Sequence, residues 1–359
     1  MKESLKRFDF LLLFLILILT IFSLVGQYSL SLDSSGKITF IRQLIFVFIG
    51  LGLFFLFSVL DFRLWRDLTW YIYLFTIFIL ILVLFIGQTQ RGMKGWLGVG
   101  NIGFEVSELA KLTLILSLAK FWKEARQPVL FKWTFFSFLI SLGLILPILF
   151  QPDLGTALIL IAIWGGLTFL IEKKSRLALI IVLLLVGLIF CWFFYLEPYQ
   201  KSRIITLFNP SGDQFGYGWQ IQQSITAIGA GKIFGQGFGF GSQSKLKFLP
   251  AAKTDFIFAS ISEEFGLIGG GLILIVYFLL LIRLFKIAKK SWDNFSLIII
   301  CGIIIYLTIS LFINIGMNLG ISPIIGIPLP FISQGGSSLI MSFIMLGIVE
   351  SIIIHQPRG

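Results

Sequence analysis

Long apolar runs separated by short polar ones account for most of this chain. Crossing a bilayer takes roughly 20 consecutive apolar residues. About ten runs reach or approach that length, at 10–30, 40–60, 68–87, 105–122, 132–150, 155–171, 177–196, 256–282, 297–317 and 333–354. The pattern predicts an all-α polytopic membrane protein, with residues 1–359 forming one membrane domain. The first run follows Lys2, Lys6 and Arg7, as a secretory signal would. It lacks a small-residue cleavage site and is long enough to span, so it reads as a helix. Residues 197–254 form the one long interruption and predict a large loop. Within it, Trp219 to Ile228 is amphipathic and reads as an interfacial helix. The loop's string GAGKIFGQGFG fails the spacing of a phosphate-binding loop and has no strand–helix unit around it.

Composition supports insertion. The chain is 57% hydrophobic and 13% charged, about half the charge of a soluble domain. Cys191 and Cys301 both lie in apolar runs, and His355 is the single histidine. A disulfide framework, a histidine metal cluster and a Ser-His-Asp triad are therefore excluded. A net charge of +11 raises the question of nucleic acid, but the distribution of charge answers it. With the N-terminus inside, cytoplasmic segments carry Arg63, Arg66, Lys120, Lys123, Arg126, Lys132, Lys173, Lys174, Arg176 and the Arg283–Lys290 cluster. The opposite short loops carry only Lys37, Arg42, Arg91 and Lys94. This is the positive-inside pattern. It puts both termini in the cytoplasm and the 197–254 loop outside, and it leaves no reason to expect a nucleic-acid partner.

That orientation gathers the unusual polar residues at the outer helix ends. Residues 91–104 (RGMKGWLGVGNIGF) read as an interfacial hairpin carrying Arg91 and Lys94. Glu108 and Lys111 are i,i+3 neighbours inside the fourth span. They either fix helix packing as an ion pair or line a substrate path. In QPDLGT, residues 151–156, Pro152 and Gly155 break the helix and Asp153 suits the cap of the next one. Thr254 and Asp255 open the eighth span, with Glu263 and Glu264 deeper. On an ideal helix Glu263 is turned about 80° from Asp255 and Glu264 about 180°, so Glu263 could line a cavity beside Asp255. Residues 320–338 (GISPIIGIPLPFISQGGSS) are a broken segment, which survives at membrane depth only when buried or lining a cavity.

The ordered set QPDLGT, GSQSKLKFLP, TDFIFA with EE, and PFIS–GGSS resembles the SEDS family (shape, elongation, division and sporulation proteins) over nearly the whole chain. The segment 241–250 resembles its elongation branch. The chain departs from the family at Ala251, Lys253 and Gln334. The resemblance implies a peptidoglycan glycosyltransferase that polymerises lipid II, a disaccharide-peptide on undecaprenyl pyrophosphate, by inverting displacement. Asp255 would be the general base. Glu108, Lys111, Arg91 and Lys94 would bind substrate with Gln151, Asp153, Thr254, Glu263 and Ser337. A divalent cation, Mg2+ or Mn2+, would be shared with the pyrophosphate, since no metal-ligand spacing is evident. The implied partners are a class B penicillin-binding protein and other elongation-complex membrane proteins. A lipid II flippase and a non-catalytic scaffold for a transpeptidase are the competing readings. Outer-end acids argue against the first, because transporter sites lie near the midplane.

The charge pattern makes a direct prediction. Single cysteines near Arg126 and Lys289 stay unlabelled by a membrane-impermeant reagent in intact cells, whereas one near Asp213 is labelled. Labelling at position 126 from outside would overturn the orientation.

Overall fold

The computed structural model describes residues 7–32, 37–90, 93–99, 102–124, 131–171, 197–209, 212–213 and 216–356. The chain begins with helices α1 (Phe10–Ser29), α2 (Lys37–Val59) and α3 (Phe62–Ile86). A small sheet follows, β1 (Gln88–Gln90), β2 (Met93–Val99) and β3 (Ile102–Glu105), and leads into α4 (Val106–Glu124). Next come α5 (Phe131–Phe150), α6 (Leu154–Ile171), α7 (Pro198–Phe208), α8 (Tyr217–Gly231) and the short α9 (Ser242–Lys245). Helices α10 (Ile257–Lys289), α11 (Asn294–Asn318) and α12 (Gly336–His355) complete the chain.

Among the described residues, eight helices are long and apolar enough to cross a membrane: α1, α2, α3, α5, α6, α10, α11 and α12. The protein is a multi-pass, predominantly α-helical membrane protein. The fourth expected span is present as α4, 19 residues long, but it carries Glu108, Lys111, Lys120, Lys123 and Glu124. The expected span at 177–196 lies outside the described residues. The outer faces are apolar: Phe85 is 77% exposed, Phe48 66% and Phe278 64%. Rings this large, exposed along successive helices, belong in lipid. Carboxylates fix several helix starts. Asp9, Asp61, Asp153 and Asp293 accept hydrogen bonds from the N–H groups of Leu12, Arg63, Thr156 and Ser296 at 2.9–3.2 Å.

α12 is the most enclosed helix and packs along α2. A Cβ at Gly50 would lie 2.3 Å from Phe343, and one at Gly336 would lie 2.6 Å from Phe46. Small residues give membrane helices this close approach. The hairpin expected at 91–104 is a three-stranded antiparallel sheet with Trp96 paired to Glu105. The stretch Trp219–Ile228, expected to be helical, lies within α8.

α10 has 33 residues, about 50 Å at 1.5 Å per residue, and it breaks at Gly266 (φ 65°). The glycine string of the loop packs into this break. A Cβ at Gly266 would lie 2.4 Å from Gly235 N and Ile233 O, and one at Gly235 would lie 2.0 Å from Glu264 O. Backbone bonds close the contact, Leu267 N–H to Lys232 O at 2.8 Å and Gln236 N–H to Glu263 O at 2.9 Å. These glycines bring two backbones together where any side chain would keep them apart.

Candidate active site

Two irregular segments meet at the ends of α10 and α12. The first is the turn 251–256, in which the N–H groups of Thr254, Asp255 and Phe256 all donate to the carbonyl of Ala251 at 3.0–3.3 Å. The second is 320–335. Side chains satisfy their backbones. Asn314 Nδ2 donates to the carbonyls of Asp255 (3.3 Å) and Ile327 (2.9 Å), and Asn318 Nδ2 donates to Asp255 O (3.0 Å). Ser333 Oγ accepts from Leu329 N–H and donates to Thr254 O. Gln27 donates to Lys253 O, Ser23 to Ile332 O, and Tyr277 to Pro330 O. The departures Lys253 and Gln334 join each other here, Gln334 N–H donating to Lys253 O at 2.9 Å.

The framework encloses a cavity of about 190 Å³ between α4, the start of α6, the 251–256 turn and the start of α12. Glu105, Glu108, Lys111, Asp153, Thr254, Asp255 and Ser337 line it. A second cavity of about 380 Å³ lies beneath α7 and α8 and is lined by Tyr199, Arg203 and Tyr217. Asp255 lines both. It precedes the N-cap residue Phe256 and is not itself the cap of α10.

Lys111 and Glu108 form an ion pair at 2.7 Å, each 1% exposed. Leaving either charge alone at such depth costs about 3–5 kcal/mol. Glu108 Oε2 is buried without a hydrogen-bond partner among the described residues, and a polar ligand in the cavity would satisfy it. Glu105, the last residue of β3, is held by Ser107 Oγ donating to its Oε1 at 2.8 Å, while its own N–H donates to Ser337 Oγ at 2.9 Å. Burial, then the charges of Glu108 and Asp153, push its carboxyl up to about 8, against the opposing pull of Lys111 and of Ser107.

The structure brings Glu108, Lys111, Asp153, Thr254 and Ser337 together around Asp255. It puts three other sequence candidates elsewhere. Glu263 is fully buried and accepts from Gln243 N–H (2.6 Å), Ser244 N–H (3.0 Å) and Ser242 Oγ (3.2 Å), anchoring the start of α9. Gln151 donates to Leu80 O at 3.0 Å and accepts from Lys94 N–H at its backbone carbonyl, lining neither cavity. Lys94 donates to Phe85 O at 3.3 Å and likewise lines neither. Arg91 lies outside the described residues. Among those described, no three His, Cys, Asp or Glu residues are placed to hold a metal ion. Sequence reasoning missed Glu105 and Arg203. Glu105 had a signal, a second acid three residues ahead of Glu108.

Comparison with known proteins agrees with this architecture. The family model described as "Cell cycle protein", covering the FtsW, RodA and SpoVE proteins, matches residues 4–357. The chain is 35% identical over 347 residues to the peptidoglycan glycosyltransferase MrdB of Escherichia coli K12, covering 96% of this chain and 93% of that one. It is 37% identical over 360 residues to the stage V sporulation protein E of Bacillus subtilis, covering 96% of each. It is also similar to a chain from a solved peptidoglycan synthase complex that coordinates polymerization and crosslinking, with a TM-score of 0.82, 29% identity, and coverage of 98% of this chain and 99% of that one. The chain belongs to the SEDS family of FtsW, RodA and SpoVE proteins.

Glu105 yields a pH prediction. Its folded carboxyl binds a proton more tightly than an unfolded one, so stability is fully present below about pH 4.5 and is lost as pH rises through about 8. Glu105→Gln mimics the protonated form and removes this loss. Thermal unfolding in detergent at pH 6 and pH 9 gives a larger drop in Tm for wild type than for the variant. Parallel curves would show that Glu105 does not titrate in the cavity.

Proposed function

We propose that this protein is a peptidoglycan glycosyltransferase that polymerises lipid II at the outer face of the cytoplasmic membrane during cell elongation. The observation that carries the reading is Asp255 standing where two cavities meet. Polymerisation joins two lipid-borne sugars at one point, so it needs a base with room on either side. Asp255 accepts the proton of the acceptor's 4-hydroxyl as that oxygen attacks C1 of the donor sugar with inversion. The bond from C1 to the diphosphate breaks, the electron pair leaves with the lipid diphosphate, and Asp255 later returns its proton to water. A positioned base of this kind contributes typically 10²–10⁴-fold. A divalent cation, Mg2+ or Mn2+, would be shared with the diphosphate and would supply charge neutralisation there.

The name of the MrdB relative supports the reaction, and the similarity to a chain of a synthase complex supports a cross-linking partner. That partner is a class B penicillin-binding protein, alongside other membrane proteins of the elongation complex. The elongation role rests on the resemblance of residues 241–250, and the positive-inside count supports cytoplasmic termini with Asp255 outside.

Purified wild-type protein given lipid II in detergent forms glycan strands long enough to resolve by gel electrophoresis, and pull-down from native membranes recovers the transpeptidase. Movement of lipid II across vesicles with no strand formed would favour the flippase. Neither activity, with the transpeptidase still recovered, would favour the scaffold.

A further inference from the structure

Among the described residues that the sequence suggested, no cation is placed to stabilise a departing diphosphate. Lys111 is closed on Glu108 at 2.7 Å. Among the described residues its cavity sets Glu108, Asp153 and Asp255 against that one cation, with Glu105 pushed toward its neutral form. A diphosphate entering there meets net negative charge. Lys94 donates to a helix-end carbonyl outside both cavities.

The second cavity has the opposite balance. Asp255 is its one acid among the described residues, and Arg203 is its cation. The Arg203 guanidinium centre lies 4.8 Å from the Tyr217 ring and 5.7 Å from the Tyr199 ring. Rings hold a guanidinium by its face and leave the N–H groups at its edge to donate in plane. Among the described residues Arg203 Nε is buried without a hydrogen-bond partner, which costs free energy until an acceptor arrives. A phosphate oxygen suits that fork geometry. Leu154, Leu158, Ile204 and Ile324 give the same cavity an apolar wall. On the same helix Ile205 is 57% exposed and Phe208 83%, a surface suited to an isoprenyl chain.

We propose that Arg203 binds the diphosphate of the lipid-linked donor in the cavity beneath α7 and α8, leaving the sugar to reach Asp255. The assignment deepens the glycosyltransferase reading and rests on it. Arg203 would act by touching the leaving group itself, with Tyr199 and Tyr217 as its positioning residues. The charge that builds on the diphosphate as C1–O breaks is then met by a fixed cation in a partly dry site.

Farnesyl diphosphate and inorganic pyrophosphate serve as probes, with binding measured on purified protein in detergent. Wild type binds farnesyl diphosphate well and pyrophosphate weakly, because the apolar wall contributes only to the first. Arg203→Ala weakens farnesyl diphosphate binding about tenfold or more, and Arg203→Lys, which keeps the charge but not the fork, falls between. In lipid II polymerisation Arg203→Ala lowers kcat by about 10²-fold while Tm stays near wild type. A folded Arg203→Ala or Arg203→Lys protein that binds the probe and polymerises as wild type does would overturn the assignment and leave the glycosyltransferase reading standing. Equal affinity of wild type for both probes would overturn the lipid-borne source and favour a free diphosphate. A wild type that forms no glycan would sink the glycosyltransferase reading instead, and the probe affinities would still decide whether Arg203 binds an isoprenyl diphosphate.

Discussion

The carbonyl of Asp255 is held by two asparagine side chains, Asn314 and Asn318, from one face of α11. That contact allows a non-helical turn to exist where a membrane protein would otherwise need helix. Backbone groups that leave a helix within the bilayer cost several kcal/mol each unless they find partners. Here the partners come from α1, α10 and α11, through Ser23, Gln27, Tyr277 and the two asparagines, and from Ser333 within the second irregular segment. The 251–256 turn and the 320–335 segment are thereby fixed to each other as well as to the helices. A short acidic side chain in such a frame can be aimed with little freedom, which is what a general base requires.

The charge around that frame is uneven. The cavity beside α4 concentrates acids about one lysine that is already paired. The cavity beneath the loop helices carries an arginine held between two tyrosine rings. Asp255 belongs to both. Proton acceptance and anion binding are opposing electrostatic tasks, and placing the arginine in a cavity apart from the acids beside α4 keeps each from cancelling the other. The glycine run 235–241 serves the same end at a distance. By packing into the break at Gly266 it seats the loop, and Glu263 then holds α9 by two backbone N–H groups and a hydroxyl.

Much of this was legible in the sequence. The spans were readable because apolar length is a direct requirement of the bilayer, and for the described helices the observed ends fall within a few residues of the predicted ones, apart from the longer reach of α3 and α10. Asp153 as a cap and the helix α8 followed from local rules. Glu263 did not, because its helical-wheel angle was measured from Asp255, which precedes the helix in a turn and shares no wheel with it. Lys94 was read in the 91–104 hairpin and Gln151 at the helix break of QPDLGT, and neither pattern shows that both side chains bond to carbonyls at the end of α3. Glu105 was taken as the first residue of a span when it ends a strand. Arg203 had half a signal, Tyr199 four residues before it on the same helix, but the second ring, Tyr217, comes from α8 and no sequence spacing places it there.

The account stands most directly on the carboxylate of Asp255, and Asp255→Asn tests it. The exchange keeps the side chain's shape and the backbone bonds to Asn314 and Asn318 while removing the proton acceptor. The purified variant is expected to unfold at the wild-type temperature and still recover its membrane partner. Its rate of lipid II polymerisation is expected to fall by about 10²-fold or more. A folded Asp255→Asn protein that builds glycan at the wild-type rate would contradict the account.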